Sequence, residues 1–184
     1  MNAKIWMTAI VASSVGLAAL AHSGATGVMK ERMDAMGEMG DEMKLLAPMM
    51  HGQAEYDPDV VRNAADTMIG HAGKQMTQLF PKGSNEKPSE ALDAIWDNWE
   101  EFSNLAEALR ASAEGMKLAA ENGVGAPGVM PRAGMMGTGQ GMMGGAPAQM
   151  MTTEMLGEMP VNAGFMAVTQ TCSACHQKFR AEDK

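Results

Sequence analysis

The chain has 184 residues, enough for one ordinary domain, and its 14 basic and 22 acidic side chains give a formal net charge of −8. Phosphate binding needs clustered Lys and Arg, so this balance argues against nucleic acid as a partner. The excess of acid keeps the chain soluble, and it is also compatible with a positively charged protein partner.

The first 21 residues have the pattern of a secretory signal peptide. Lys4 is their only charged residue, an apolar run follows from Ile5 to Ala21, and Ala19-Leu20-Ala21 matches an A-x-A cleavage site. The alternative is a buried first helix, but the cleavage pattern favours export. No later segment has 18 consecutive apolar residues, so no stable membrane anchor is expected. We therefore expect residues 1–21 to be removed after about Ala21 and residues 22–184 to form the mature protein.

Four segments have the periodicity of amphipathic helices. The first carries a stripe of methionines, the second begins with Asp57 as N-cap and Pro58 in its first turn, and the third holds Trp96 and Trp99 on its inner face. Helices of this length reach about 30–37 Å and typically build an antiparallel bundle. The segments are Val28 to Met50, Pro58 to about Phe80, about Asp93 to Glu121, and Thr153 or Pro160 to Arg180.

The connection between the third and fourth helices is rich in Gly, Pro and Met, from residue 123 to 159. This composition neither builds a helix nor buries a core, so we expect a mobile loop at about 123–152. Thioethers are soft ligands that suit Cu(I), and His22 becomes the first residue after cleavage. A copper-handling loop is one hypothesis for this segment, and an insertion without a ligand is the other.

The two cysteines of the chain stand close together and are followed at once by a histidine, in the order Cys172, Cys175 and His176. A disulfide between the two cysteines would close a very small loop, a thioredoxin-like dithiol needs a βαβ pattern, and a zinc site needs a further ligand pair. The spacing C-x-x-C-H is the attachment pattern of c-type haem. On a helix both sulfurs lie on one face for thioether bonds to the haem, and the imidazole follows for the iron.

Four stretches together resemble the class II c-type cytochromes, the cytochrome c prime family. They are "GQAEYD", "LFPKGS", "AIWDNWEEF" and the C-terminal "CSACHQKFR". The resemblance covers roughly residues 28–122 and 160–182. It implies an all-α, antiparallel four-helix bundle in the periplasm with one covalent haem c near the C-terminus. Family members have a shorter connection between the third and fourth helices than this chain.

The resemblance also implies roles for single residues. Cys172 and Cys175 correspond to the thioether cysteines and His176 to the proximal iron ligand. Arg32 stands where many members place an Arg near a haem propionate, although a solvated surface charge is the alternative. Met36, one turn further, stands where a residue covers the distal face of the iron. Met33 is expected at the haem edge or in the core.

Three functions follow from these expectations. The first is single-electron transfer through the haem iron to a redox partner protein. The second is binding of NO or CO at a five-coordinate iron, and the third is copper handling through the Met-rich loop. An enzyme is not expected, because no nucleophile–base pair or acidic dyad stands out. The family resemblance also implies a homodimer.

Overall fold

Four long helices form the bundle in the computed structural model, which describes residues 24–125 and 151–181. They are α1 (Gly27–Met50), α2 (Pro58–His71), α5 (Trp99–Leu118) and α7 (Val161–Phe179). Shorter helices join them: α3 (Lys74–Thr77), α4 (Ala94–Asp97), the 3-10 helix Ala119–Asn122, and α6 (Thr153–Gly157). The predicted all-α, antiparallel four-helix fold is confirmed. The predicted signal peptide and residues 126–150 lie outside the described residues.

The second helix begins as predicted but ends earlier. The Asp57 carboxylate accepts the backbone N–H groups of Asp59 and Val60 at 2.8 and 3.4 Å, and Pro58 fits the first turn, where no N–H is needed. The helix ends before Gly73, whose positive φ of 62° favours glycine. The Gly73 N–H donates to the Ala106 carbonyl of α5 at 2.9 Å. The chain then continues as α3, so the predicted second helix is two helices.

The third predicted helix is broken at Asn98. Its backbone leaves the helical region with φ −127° and ψ 45°, and its side-chain amide donates to the Ala94 carbonyl at 3.0 Å. The break changes the phase of α5 relative to α4. Trp96 is half-buried and donates its indole N–H to the Phe80 carbonyl at 3.0 Å, whereas 41% of Trp99 is exposed. The expectation that Trp99 faces inward is therefore wrong.

The last part of the Met-rich connection is ordered on the bundle. Leu156 of α6 is fully buried, and it lies so close to Gly115 of α5 that a Cβ there would stand 2.5 Å from the Leu156 Cβ. Asn122 donates to the carbonyls of Gly157 and Met159 at 2.8 and 2.7 Å. Residues 151–159 therefore pack on the bundle, and α6 begins at Thr153, one of the two predicted starts of the last helical segment.

The start of α5 and the end of α7 lie at the same end of the bundle. The rings of Phe102 and Phe179 meet edge to face with 5.5 Å between centroids, and Lys178 pairs with Glu101. The chain after α7 also pairs with the segment before α4, because the Ala181 N–H donates to the Glu90 carbonyl at 2.8 Å. None of the described helices is long and apolar enough to cross a membrane.

Candidate cofactor site

An apolar cavity opens between the long helices, and the predicted site residues of α7 lie in its wall. The cavity holds about 750 Å³ of atom-free space, part of which is continuous with solvent. Helix α1 supplies one wall and α7 the facing one, while α2, α3 and α5 close the remainder. The lining residues are Met36, Met39, Gly40, Met43, Met68, Met76, Leu105, Ala106, Leu109, Val168, Thr171, Cys172, Cys175 and His176.

The three donor residues of α7 lie on one turn of this helix. Cys172, Cys175 and His176 are at positions i, i+3 and i+4, which share one face of a helix. Both cysteines are half-buried and both are free thiols. The helix continues past them to Phe179 and then becomes extended at Arg180. Regular helix through the motif therefore directs two sulfurs and one imidazole into the same cavity.

Desolvation shifts the pKa values of the two thiols and the imidazole in the protein without haem. It raises the pKa of Cys172, and burial together with the neighbouring Cys172 raises the pKa of Cys175 to about 11. Both thiols are therefore protonated at neutral pH. His176 is an exposed residue at the edge of the cavity, and partial desolvation of its imidazole together with the nearby Arg180 charge lowers its pKa. The imidazole is thus held neutral, which is the form that binds a metal.

Methionines dominate the wall opposite the donors. Met36, Met39 and Met43 of α1 recur at three- and four-residue spacing and all line the cavity. Met36 is half-buried, and Met39 is buried. Met36 therefore faces the same space as His176, as a distal residue must. Its bond to an iron stays a prediction. Met33 is half-buried and lies outside the cavity wall.

Arg32 belongs to α1, and its side chain is buried against the loop between α3 and α4. Only 5% of it is exposed. Its guanidinium donates to the Ser84 carbonyl at 2.8 Å and to the Ser89 hydroxyl at 2.7 Å, and it lies 4.5 Å from the centroid of the Phe80 ring. Burial lowers the pKa of Arg32, although a guanidinium stays charged at neutral pH.

These contacts remove the alternative of a solvated surface charge for Arg32. Arg32 is not among the residues that line the apolar cavity. Its predicted contact with a haem propionate stays a prediction. The sequence could not predict that Ser84 and Ser89 bind Arg32. They lie 52 and 57 positions further along the chain and approach Arg32 only through the tertiary fold.

The cavity suits a haem bound through thioethers. Its lining side chains are almost entirely apolar, as a porphyrin face requires. Two thiols and an imidazole are the groups that a haem c needs for its covalent anchor and its iron ligand. Methionine side chains adapt readily to the shape of a bound group. The residues present therefore fit haem c.

The structure does not describe the residues on which the copper hypothesis depends. Its methionine pairs at 135–136 and 142–143 and its N-terminal His22 lie outside the described residues. Within residues 24–125 and 151–181, no group of three or more His, Cys, Asp or Glu side chains is arranged to hold a metal ion. The hypothesis stays an expectation from composition alone.

The chain is similar in sequence to known proteins. The family model described as Cytochrome C' matches residues 27–138. Cytochrome c-556 of Agrobacterium tumefaciens (strain II Chrys) is 38% identical over 88 residues, which cover 48% of this chain and 70% of that protein. Cytochrome c' of Rhodopseudomonas palustris is 31% identical over 107 residues, covering 56% of this chain and 73% of that protein. The family match ends before Cys172.

The fold is similar to solved structures over most of the chain. Cytochrome c' from Thermochromatium tepidum aligns with a TM-score of 0.59 and 22% identity, covering 84% of this chain and 95% of that one. A nitric oxide complex of a cytochrome c prime mutant from Alcaligenes xylosoxidans aligns with a TM-score of 0.56 and 19% identity, covering 84% and 94%. At these identities the likeness concerns the fold.

Proposed function

The chain belongs to the cytochrome c' family, whose members carry covalent haem c, and we propose that it is a periplasmic electron carrier with one such haem. In this proposal Cys172 and Cys175 form the two thioether bonds and His176 is the proximal iron ligand. One observation carries it: two thiols and one imidazole share one turn of α7 and line an apolar cavity. Bound haem supplies an iron that gains and loses one electron.

The side chains of the chain hold and shield this centre. The two sulfurs fix the position of the group on α7, and partial desolvation together with the Arg180 charge favours the neutral imidazole of His176. Met39, Leu105 and Leu109 give the cavity apolar walls. An apolar, rigid surrounding favours the state of lower charge, and it limits the rearrangement that accompanies each electron transfer. No proton donor is required, because one electron is the only species transferred.

Export supports the periplasmic location in this proposal. Residues 1–21 have the pattern of a signal peptide, and haem is attached to C-x-x-C-H outside the cytoplasm. Cleavage after about Ala21 leaves α1 and all the site residues in the mature protein.

NO or CO binding is the second candidate, and the wall of α1 favours it. The side chains of this wall are methionines, none of which offers a hydrogen-bond donor. The one hydroxyl of the lining, that of Thr171, donates to the Ala167 carbonyl at 2.9 Å. Bound O2 needs a donor to stabilise its polarity, whereas NO and CO do not. An iron without a distal ligand would therefore bind NO or CO in preference to O2.

Expression in an export-competent, haem-maturing host tests the proposal. We expect one haem per chain that survives denaturing electrophoresis and acid–acetone extraction, and that is reduced and reoxidised reversibly. The double variant Cys172→Ala/Cys175→Ala should lose the covalent haem. Extraction of haem from the wild type by acid–acetone would contradict the attachment. A CO-induced change in the ferrous spectrum of the resting protein would favour gas binding.

A further inference from the structure

Trp99 is the most exposed aromatic side chain of the described residues. It is the first residue of α5, directly after the break at Asn98, and 41% of it is exposed. A large indole in water is unfavourable for the isolated chain, and Trp is enriched at the energetic centres of protein interfaces. The break at Asn98 thus presents an aromatic platform at one end of the bundle.

Acidic side chains surround this platform. A groove beside the indole is lined by Asp97, Asn98, Glu100, Glu101 and Asn104. Glu101 is paired with Lys178. Asp97 and Glu100 have no ion-pair partner within residues 24–125 and 151–181, and both are exposed. An exposed indole face attracts a cation within about 6 Å, and carboxylates beside it strengthen that attraction.

Aromatic contacts join the platform to the helix that carries the donor residues. The Trp99 ring lies 5.6 Å from the Phe102 ring, and the Phe102 ring lies 5.5 Å from the Phe179 ring. Phe179 follows His176 by three residues on α7. The ion pair between Glu101 and Lys178 links the same two helices at the same end. A protein bound on Trp99 is therefore held at the end of the bundle where the candidate site lies.

We propose that the Trp99 surface, formed by Trp99 with Asp97, Glu100 and Glu101, is the docking site for a one-electron redox protein with a Lys- and Arg-rich face. A partner cation lies over the indole, and the exposed carboxylates of Asp97 and Glu100 steer the approach. Charge complementarity identifies this occupant, since the surface and the chain as a whole are acidic. The inference rests on the proposed electron-carrier function.

Quenching of a photoexcited partner tests the surface. The probe is a lysine-rich cytochrome c whose iron is replaced by zinc, and its excited porphyrin donates one electron to the ferric protein. We expect Asp97→Asn/Glu100→Gln to lower the second-order quenching rate about tenfold at low salt. The difference should vanish at 1 M salt, where the Debye length is about 3 Å. Trp99→Ala should lower the rate at both salt concentrations.

A matched control removes the same charge at the other end of the bundle. Glu55→Gln/Glu158→Gln also neutralises two exposed carboxylates, and we expect it to quench nearly as fast as the wild type. Equal losses in both double variants, or no loss in Asp97→Asn/Glu100→Gln, would overturn the docking site. Haem spectra and helix content report whether Trp99→Ala is folded. If Trp99→Ala does not fold, the charge variants still test the docking site.

Reduction by dithionite tests the proposed electron-carrier function separately from the docking site. All variants should be reduced by dithionite at least as fast as the wild type, because a small anionic reductant does not need the Trp99 surface. A wild-type protein that accepts no electron from dithionite or from the zinc probe would contradict the electron-carrier function itself. If dithionite reduces the protein normally but the Trp99-surface variants quench the probe at the wild-type rate, only the docking site is contradicted.

Discussion

Met36 is the side chain on which the choice between the two leading functions depends. It is half-buried in the α1 wall and faces the cavity shared with His176. A thioether bound to iron raises the reduction potential and suits an electron carrier. A methionine that only covers the iron leaves a free position for a gas. The backbone and the cavity are compatible with both arrangements.

We predict a six-coordinate iron with His176 and Met36 as its axial ligands. Met36→Ala should remove the weak sulfur-to-iron charge-transfer band at the red end of the ferric spectrum, because the thioether is lost. Met33→Ala is the matched control, since Met33 lies one turn earlier and outside the cavity wall, and it should keep the band. A high-spin ferric spectrum that Met36→Ala leaves unchanged would exclude this ligation and favour gas binding.

At the same scale, the sequence predicted those site residues whose relation is local. Cys172, Cys175 and His176 were predictable because their spacing fixes their shared face once a helix forms. Met68 and Met76 also line the cavity, but no local spacing relates them to the motif. They approach it only because α2, α3 and α7 pack together. A methionine in a helix has the same local pattern whether it faces a cavity or a filled core.

Helix ends were the least predictable feature at the scale of elements. The Asp57–Pro58 start was correct because both residues act within the first turn. The breaks at Gly73 and Asn98 were missed, since apolar periodicity continues across each of them. At Gly73 the positive φ of 62° is a local glycine conformation, and the Gly73 N–H also donates to the Ala106 carbonyl on another helix. Such a tertiary contact has no counterpart in the local sequence, and the exposure of Trp99 depends on the break at Asn98.

The packing of α5 against α7 depends on a glycine at the contact. A Cβ at Gly164 would lie 2.7 Å from the Met116 Cα, which belongs to backbone that cannot yield easily. We predict that Gly164→Ala lowers the free energy of unfolding by about 1–3 kcal/mol, because the helices must separate. Denaturant unfolding followed by circular dichroism measures this change.

Gly37 of α1 provides the control for that substitution. It is exposed, and a Cβ there meets nothing within 4 Å. Gly37→Ala should therefore raise the free energy of unfolding by about 0.5–1 kcal/mol through helix propensity. Equal effects of the two substitutions would show that the α5–α7 contact does not require a glycine.

The Met-rich insertion is anchored at the end of the bundle away from the donor residues. The Val161 N–H donates to the Gly123 carbonyl at 3.0 Å, and Asn162 accepts the Gly125 N–H at 3.1 Å. Replacing residues 126–150 by a short Gly–Ser linker should leave the haem spectrum and the thermal midpoint nearly unchanged, because these anchors stay. Leu156→Ala should instead lower stability by about 2–5 kcal/mol, since Leu156 is fully buried. A collapse of the linker variant would mean that residues 126–150 are needed for the fold.

The same replacement decides the copper hypothesis. Competition titrations with a Cu(I) chelator should give a weaker affinity for the linker variant if the methionine pairs bind copper, as soft thioether ligands do. An unchanged affinity would exclude that hypothesis without affecting the proposed haem site.

At the scale of the whole molecule, the bundle was predictable and its surface was not. Four amphipathic segments have few compact arrangements, and the cytochrome c' fold is one of them. Which apolar residues stay exposed depends on the angles and phases of the packed helices. Leu45 of α1 is 50% exposed and Leu118 of α5 is 60% exposed, although both belong to apolar periodic segments.

We predict that the mature protein is a homodimer associated through α1 and α2. Leu45 supplies exposed apolar surface on α1 that a second copy would cover. Sedimentation of the wild type should show a dimer at micromolar concentrations. Leu45→Glu should raise the dissociation constant at least about tenfold, which corresponds to about 1.4 kcal/mol, because the charge would be buried at the contact. Leu118→Glu is the control, since it adds the same charge at an exposed leucine of another helix, and it should remain dimeric. A wild type that sediments only as a monomer at high micromolar concentration would contradict the dimer, and a dimer disrupted by Leu118→Glu but not by Leu45→Glu would place the interface on α5.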